Sequence, residues 1–246
     1  MDDKKQKLAE EELDEEPNPI EQALEKQKTK VSSASFKTKG YLTMFSGFLW
    51  MMYYGSYLIV GTIAPYINSY FPDATEAATQ TLQPQIIITV TISNFIGSQI
   101  VKRRLISPRV LVLIAGTVGI GGCFLMTFTD NWILFRIFFP TFYGFGIGFA
   151  YMIHLYLSWK YIPGREGILA GIINIGVGSG GMLFTFLGNY LANPDTINAA
   201  INHDNDPDFK PFPTIADNVP YMLRTLLFIF LGLFIVAFFT IQGYPD

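Results

Sequence analysis

Six long apolar stretches follow one another with short polar breaks, and this pattern limits the fold more than any other feature of the chain. They run from about Tyr41 to Phe71, Pro84 to Val101, Pro108 to Phe128, Trp132 to Trp159, Gly167 to Tyr190 and Pro220 to Ile241. Each is near or above the ~20 residues that cross ~30 Å of hydrocarbon as a helix. Pro84, Pro108 and Pro220 fall where a first helical turn would begin, a position proline tolerates because that N–H has no partner anyway. One buried helix of a soluble core can imitate one such stretch, but not six in succession. The expected fold is an all-α membrane protein, a bundle of six transmembrane helices.

Charge is scarce and unevenly placed. Charged residues make up 15% of the chain, against about 25% for a soluble domain, and residues 1–39 hold eighteen of them. The chain therefore divides into a charged tail, 1–40, and a bundle, 41–244, with a long outer loop at 191–219. The tail begins acidic (Glu10, Glu11, Glu12, Asp14, Glu15, Glu16) and is broken by Pro17 and Pro19. Ile20 to Lys30 can form one charged helix before the Ser-rich Val31–Ser35. The tail has too little apolar surface to fold alone, so disorder or partial helix is expected. It also lacks the short apolar run and small-residue cleavage site of a signal peptide.

Several function classes are excluded on chemical grounds. No basic patch interleaves with aromatics, so no nucleic-acid partner is expected. Cys123 is the single cysteine, which rules out a disulfide or thiolate metal site within the chain. Asp204, Asp206 and Asp208 alternate as in a calcium loop, but the glycine turn and closing glutamate are absent, so no metal is expected. Gly176-Val-Gly-Ser-Gly-Gly181 has the composition of a phosphate loop without its lysine, inside an apolar stretch, which argues against nucleotide binding. With no catalytic triad, zinc helix or oxidoreductase fingerprint, neither enzyme activity nor a cofactor is expected.

Lysine and arginine placement gives the orientation. Lys26, Lys28, Lys30, Lys37 and Lys39 precede span one. Lys102, Arg103, Arg104 and Arg109 fill the connection between spans two and three, and Lys160 and Arg165 that between four and five. The alternate connections carry Asp73 and Glu76, then Asp130, then an acidic stretch with only Lys210. Both termini are therefore expected on the cytoplasmic side of a lipid bilayer.

Candidate functional residues concentrate in spans one and four. At 100° per residue, Arg136, Tyr143 and His154 project onto nearly one line of span four, with Tyr151 nearby. Ionisable groups inside a membrane are costly and usually face a bundle interior or a watery cavity. The functional expectation is a pore-facing stripe that attracts anions. The structural alternative is that Arg136 snorkels to the headgroups and His154 makes one internal hydrogen bond. Span one offers Trp50, Tyr53, Tyr54 and Tyr57, with Tyr53 and Tyr57 one turn apart, suited to a carboxylate or hydroxylated solute or simply to packing. Thr91, Asn94 and Ser98 share a face of span two, a pattern that also joins helices by hydrogen bonds. In span five, Gly167, Gly171, Asn174, Gly178, Gly181, Thr185 and Gly188 form a small-residue seam, repeated by Gly144 and Gly148 in span four. Packing accounts best for the glycines, while Asn174 is a candidate to line a path.

The segment Arg136…Tyr143-Gly-Phe-Gly-Ile-Gly148…Ser158-Trp-Lys-Tyr-Ile-Pro-Gly-Arg-Glu-Gly-Ile-Leu-Ala-Gly171 resembles the fourth-to-fifth helix region of the major facilitator superfamily. It is most similar to the oxalate/formate antiporter and monocarboxylate transporter branch. Pro163, Arg165, Gly167 and Gly171 match that branch's inner loop and helix start, and Asn189…Asn193-Pro194 its end of helix five. Gly97, Lys102, Arg103, Pro108 and Arg109 resemble the loop between helices two and three, with Val101 in the approximate place of that loop's acidic residue. The resemblance covers about residues 41–244 and implies one amino-terminal half of a two-half, twelve-helix fold. A fragment, a half that pairs with a second half-transporter chain or larger membrane complex, and a remnant kept for structure are the expected accounts, in that order. The function it implies is secondary transport, by symport or antiport, of a small organic anion such as a monocarboxylate or dicarboxylate. Arg136 would then supply field at the outer mouth. Tyr54, Tyr57, Asn94, Tyr143, Tyr151, His154 and Asn174 would contact solute, with His154 the one mid-span group able to carry a proton. Lys102, Arg103, Arg109 and Arg165 would form an inner gate. The competing expectation is a non-transporting scaffold or accessory subunit.

Overall fold

A computed structural model describes residues 19–200 and 208–245, with side chains from residue 34 onward. The acidic start of the tail, together with Asp204 and Asp206, lies outside the described residues. The chain divides into two compact units, 1–38 and 39–246. What is described of the first is helical, including Val31–Ser35, and a helix is assigned over Pro19–Gly55. Every regular element among the described residues is helical.

Six helical spans are long and apolar enough to cross a membrane: Ala34–Tyr70, Glu76–Lys102, Pro108–Met126, Trp132–Tyr161, Glu166–Ala192 and Asn218–Thr240. Their starts follow from local chemistry. Thr75, Ser107 and Asn131 each use a side-chain oxygen to accept from an orphan backbone N–H three residues on, at 3.2, 3.3 and 3.0 Å. Pro108 occupies the first turn of span three. Before span five, Gly164 takes φ +80°, where glycine has no Cβ penalty, and the Glu166 carboxylate accepts from its N–H at 2.8 Å.

Four spans are interrupted, span two only near its start, at Thr81 between the helices Glu76–Gln80 and Leu82–Lys102. Span one passes through a 3₁₀ turn at Ser56–Leu58. Span three contains a π-helical turn at Thr117–Gly121. Span four breaks at Ala150, between helices Trp132–Phe149 and Tyr151–Tyr161. The turn in span one alters which tyrosines meet, as Tyr57 packs on Tyr54.

The spans meet where a side chain is missing. A Cβ on Gly148 would stand 2.2 Å from Ser93 Oγ, and one on Gly144 would stand 2.7 Å from Ile86 O, so spans two and four are in backbone contact. Ser93 Oγ adds a hydrogen bond to Gly144 O at 3.2 Å. Gly119 and Gly146 join spans three and four, and Gly55, Gly176 and Gly180 join spans one and five. Such close approach is what packs helices when lipid competes for apolar surface. Ser46 donates to Ala237 O at 2.7 Å and ties span one to span six. In span five the open glycines are Gly167, Gly171 and Gly178, where an added Cβ meets no other atom. The seam read from sequence therefore mixes two faces. The face buried in the bundle runs through Leu169, Ile173, Gly176, Gly180 and Phe184, and most of the projected seam points away from it.

Candidate functional site

Span four supplies two candidates to the interior. Tyr143 is 3% exposed, and its hydroxyl shares a short hydrogen bond with Ser56 Oγ, in the 3₁₀ turn of span one. His154 is fully buried. Its Nδ1 lies 2.9 Å from Ala150 O; a carbonyl can only accept, so Nδ1 carries the hydrogen. The imidazole stacks on Trp50 at 5.5 Å and 23°, while Nε2 has no partner among the described residues. Trp50 donates to Ile147 O at 3.3 Å, so spans one and four are stitched on both sides of the break at Ala150.

Arg136 does not share that environment. Its side chain is exposed and forms no hydrogen bond or ion pair among the described residues. The single stripe projected through Arg136, Tyr143 and His154 is therefore corrected. Tyr143 and His154 both lie in the interior, on either side of the break at Ala150, and Arg136 leaves their line, its long cationic chain exposed where Phe135 and Phe139 pack inward. The expected Tyr53–Tyr57 pairing is also replaced. The 3₁₀ turn brings Tyr57 against Tyr54, with ring centroids 5.6 Å apart, as the tighter three-residue repeat favours. Tyr151 of span four joins them, 5.7 Å from Tyr54. These three tyrosines are half-buried and form a hydroxyl-bearing surface built from two spans. Tyr53 instead points inward, with a buried hydroxyl that has no partner among the described residues.

The remaining candidates are dispersed. Asn94 is half-buried with an unpartnered Oδ1. Asn174 is exposed, and its amide donates to Ala170 O at 2.9 Å on its own helix. Lys102, Arg103 and Arg165 are exposed, without an ion pair among the described residues. Arg109 differs, since its Nε donates to Ile241 O at 3.3 Å. Val101 is 2% exposed and offers Arg103 no charge partner.

Several organising residues carry little sequence signal. Ser56 reads as a lone small polar residue, and only its place between Gly55 and Tyr57 hints at a break. Ser93 escapes the polar face projected for span two because it faces the opposite way, toward Gly144. Lys210 was legible as the sole cation of an acidic loop, but not its role. Its ammonium donates to Asn68 Oδ1 at 3.4 Å, Phe71 O at 3.0 Å and Ala74 O, and so closes the end of the helix Ile59–Tyr70. Burial draws its pKa below the ordinary lysine value, and Asp208 and Asp73 pull it back up.

The sequence matches the family model of the Major Facilitator Superfamily over residues 3–185, well over half its length. The chain belongs to the major facilitator superfamily. Members of that superfamily are transporters, not enzymes, and secondary transport is the general function that membership gives this chain. Its six apolar helices fit one half of the major facilitator fold, in an integral, multi-pass membrane protein. No curated protein matches the sequence.

Proposed function

We propose that this major facilitator chain takes part in alternating-access transport of a small organic anion, a monocarboxylate or dicarboxylate, with both termini cytoplasmic. The observation that carries the proposal is the partly exposed trio Tyr54, Tyr57 and Tyr151. Three phenol hydroxyls on apolar rings can donate to a carboxylate without adding a fixed charge that would hold it too tightly. Arg136, exposed and unpaired among the described residues, is free to attract an anion toward the bundle. Tyr143 and His154 stand behind that surface rather than on it. Their part is to hold spans one and four together, and solute contact by either would require the interior to open.

The test is uptake in proteoliposomes, using radiolabelled oxalate, formate and lactate against empty vesicles. Tyr54→Phe, Tyr57→Phe and Tyr151→Phe should each raise KM about ten- to a hundredfold with kcat largely kept, since one hydrogen bond to a charged group contributes about 1.5–3 kcal/mol. Uptake no higher than in empty vesicles would end the proposal. Coupling to a proton through His154 is a separate step. If His154→Gln keeps full pH-dependent uptake, that step is wrong and the transport proposal stands without it.

A second reading, a scaffold or accessory subunit that moves no solute, draws support from the sealed environment of Tyr143 and His154. It predicts normal assembly and no uptake. It also predicts that the three tyrosine variants leave every measured activity of the assembly unchanged.

A further inference from the structure

We propose that the end of the bundle carrying Arg104, Arg109 and Lys160 holds the phosphate of an anionic phospholipid headgroup, around the segment that follows span six.

After Thr240 the chain leaves the helix and runs on without regular structure through Ile241–Pro245. It is strapped across the ends of spans three and four. Arg109 Nε donates to Ile241 O at 3.3 Å, and Tyr161 Oη donates to Gly243 O at 2.8 Å. The Tyr244 ring lies under the Arg104 guanidinium, 5.3 Å from its carbon. It also meets the edge of Tyr156 at 6.3 Å and 73°. The Lys160 ammonium is in turn 5.7 Å from the centre of the Tyr156 ring. One short segment thus gathers three exposed cations, two from the connection between spans two and three and one from the end of span four, beside two tyrosine rings.

No carboxylate pairs with any of the three among the described residues. The one acidic side chain described in the connection between spans four and five, Glu166, is already committed to the Gly164 N–H. Arg104 adopts φ +49°, a left-handed conformation that a side chain with a Cβ enters at a cost. That turn closes span two, with the N–H of Arg104 on Val101 O at 3.1 Å and that of Leu105 on Ile100 O at 3.2 Å, and it sets the Arg104 side chain over the Tyr244 ring. The cations also stand at the right depth. Lys102, Pro108, Tyr161 and Thr240 end or begin their spans at this level, where tyrosine rings and headgroup phosphates meet at a membrane boundary. An anionic lipid satisfies all of these features at once: its phosphate pairs with the cations, and its glycerol and chains run down the apolar faces of spans three and six.

The inference takes only the cytoplasmic assignment of this end from the proposed function. Lipid binding by purified protein does not depend on transport, so either proposal can fail alone. The experiment is native mass spectrometry and thermal unfolding of delipidated protein in neutral detergent. Phosphatidylglycerol, phosphatidylcholine and inorganic phosphate are titrated separately. Phosphatidylglycerol should bind and raise the unfolding temperature, and the other two should do neither. Lys160→Gln should weaken phosphatidylglycerol binding about fivefold, the value of one basic charge at the membrane surface. Arg104→Gly should do the same while easing the backbone, since glycine accepts φ +49° without penalty. If Arg104 serves packing alone, that variant keeps wild-type lipid affinity, which overturns the proposal. The control is Lys102→Gln with Arg103→Gln, which removes two charges of the same connection that do not touch the strap. A loss there equal to that of Arg104→Gly with Lys160→Gln would show a diffuse field rather than a site, and would overturn the proposal. So would equal stabilisation by inorganic phosphate or phosphatidylcholine.

Discussion

Gly178 and Gly180 lie two residues apart on span five and differ in what a methyl group would meet. A Cβ at Gly178 enters open space, whereas one at Gly180 would stand 2.1 Å from Met52 O and 2.8 Å from Met52 C and Cα. All three are backbone atoms of span one, so no rotamer change relieves the clash. The two helices must separate by roughly 1.2 Å before carbon and oxygen reach the ~3.3 Å of a tolerated contact. Both Gly→Ala changes remove the same helix-propensity penalty, about 1 kcal/mol in water. Their difference therefore isolates the packing cost, about 1–3 kcal/mol for forcing a methyl into a filled contact. Gly178→Ala should be neutral or stabilising by up to about 1 kcal/mol, and Gly180→Ala should be less stable than it by about 1–3 kcal/mol. Reversible unfolding in mixed micelles, followed by tryptophan fluorescence, measures both. Equal stabilities, or a more stable Gly180→Ala, would refute the close approach of spans one and five. Gly176→Ala, facing Phe48 O at 2.4 Å, should fall with Gly180→Ala.

Lys210→Met removes three hydrogen bonds from the end of the helix Ile59–Tyr70. It should cost about 1–3 kcal/mol locally, seen as faster amide exchange over residues 66–74 with residues 82–102 unchanged. Ser93→Ala loses the bond to Gly144 O and should cost about 0.6 kcal/mol, the mean for such bonds between membrane helices, by the same unfolding assay. His154→Phe keeps a ring beside Trp50 but loses the bond to Ala150 O. It should be more stable than His154→Ala by about 3–5 kcal/mol, since the smaller side chain also leaves a cavity at a fully buried site, and equal stability of the two would show that no ring packs beside Trp50.

The six spans were legible because the requirement is one-dimensional: enough apolar residues in a row, bounded by capping residues and charge. Pro108 announces the start of span three and sits in its first turn as expected, while the caps Ser107 and Asn131 are seen only in the structure. What could not be read was phase. A projection at 100° per residue assumes an unbroken α-helix, and the chain departs from that at Ser56–Leu58, Thr117–Gly121 and Ala150. Tyr57 lies in the 3₁₀ turn and so meets Tyr54 rather than Tyr53, whereas Arg136 leaves the line of Tyr143 and His154 for a different reason, the outward reach of its long charged chain. The glycine seam failed for another reason. Small residues mark where a helix can be approached closely, not which neighbour approaches, and span five has glycines on two faces.

These interruptions also bear on where solute chemistry can reside. The 3₁₀ turn places Ser56 against Tyr143, the π turn places Gly119 against Gly146, and the break at Ala150 lies beside the contact of Phe149 O with Gly97. Each of these departures from regular helix thus coincides with a contact between spans, in the interior where Tyr53, Tyr143 and His154 are buried. A bundle that rocks as one body must keep its interior contacts through the motion. Groups committed to those contacts cannot also release and rebind a solute in each cycle without reopening close-packed backbone. A solute is more cheaply handled by side chains on a surface that the motion covers and uncovers. Among the aromatic and ionisable candidates of spans one and four, the half-buried Tyr54, Tyr57 and Tyr151 and the exposed Arg136 fit the proposed solute surface, and the buried Tyr143 and His154 fit the frame that would carry it.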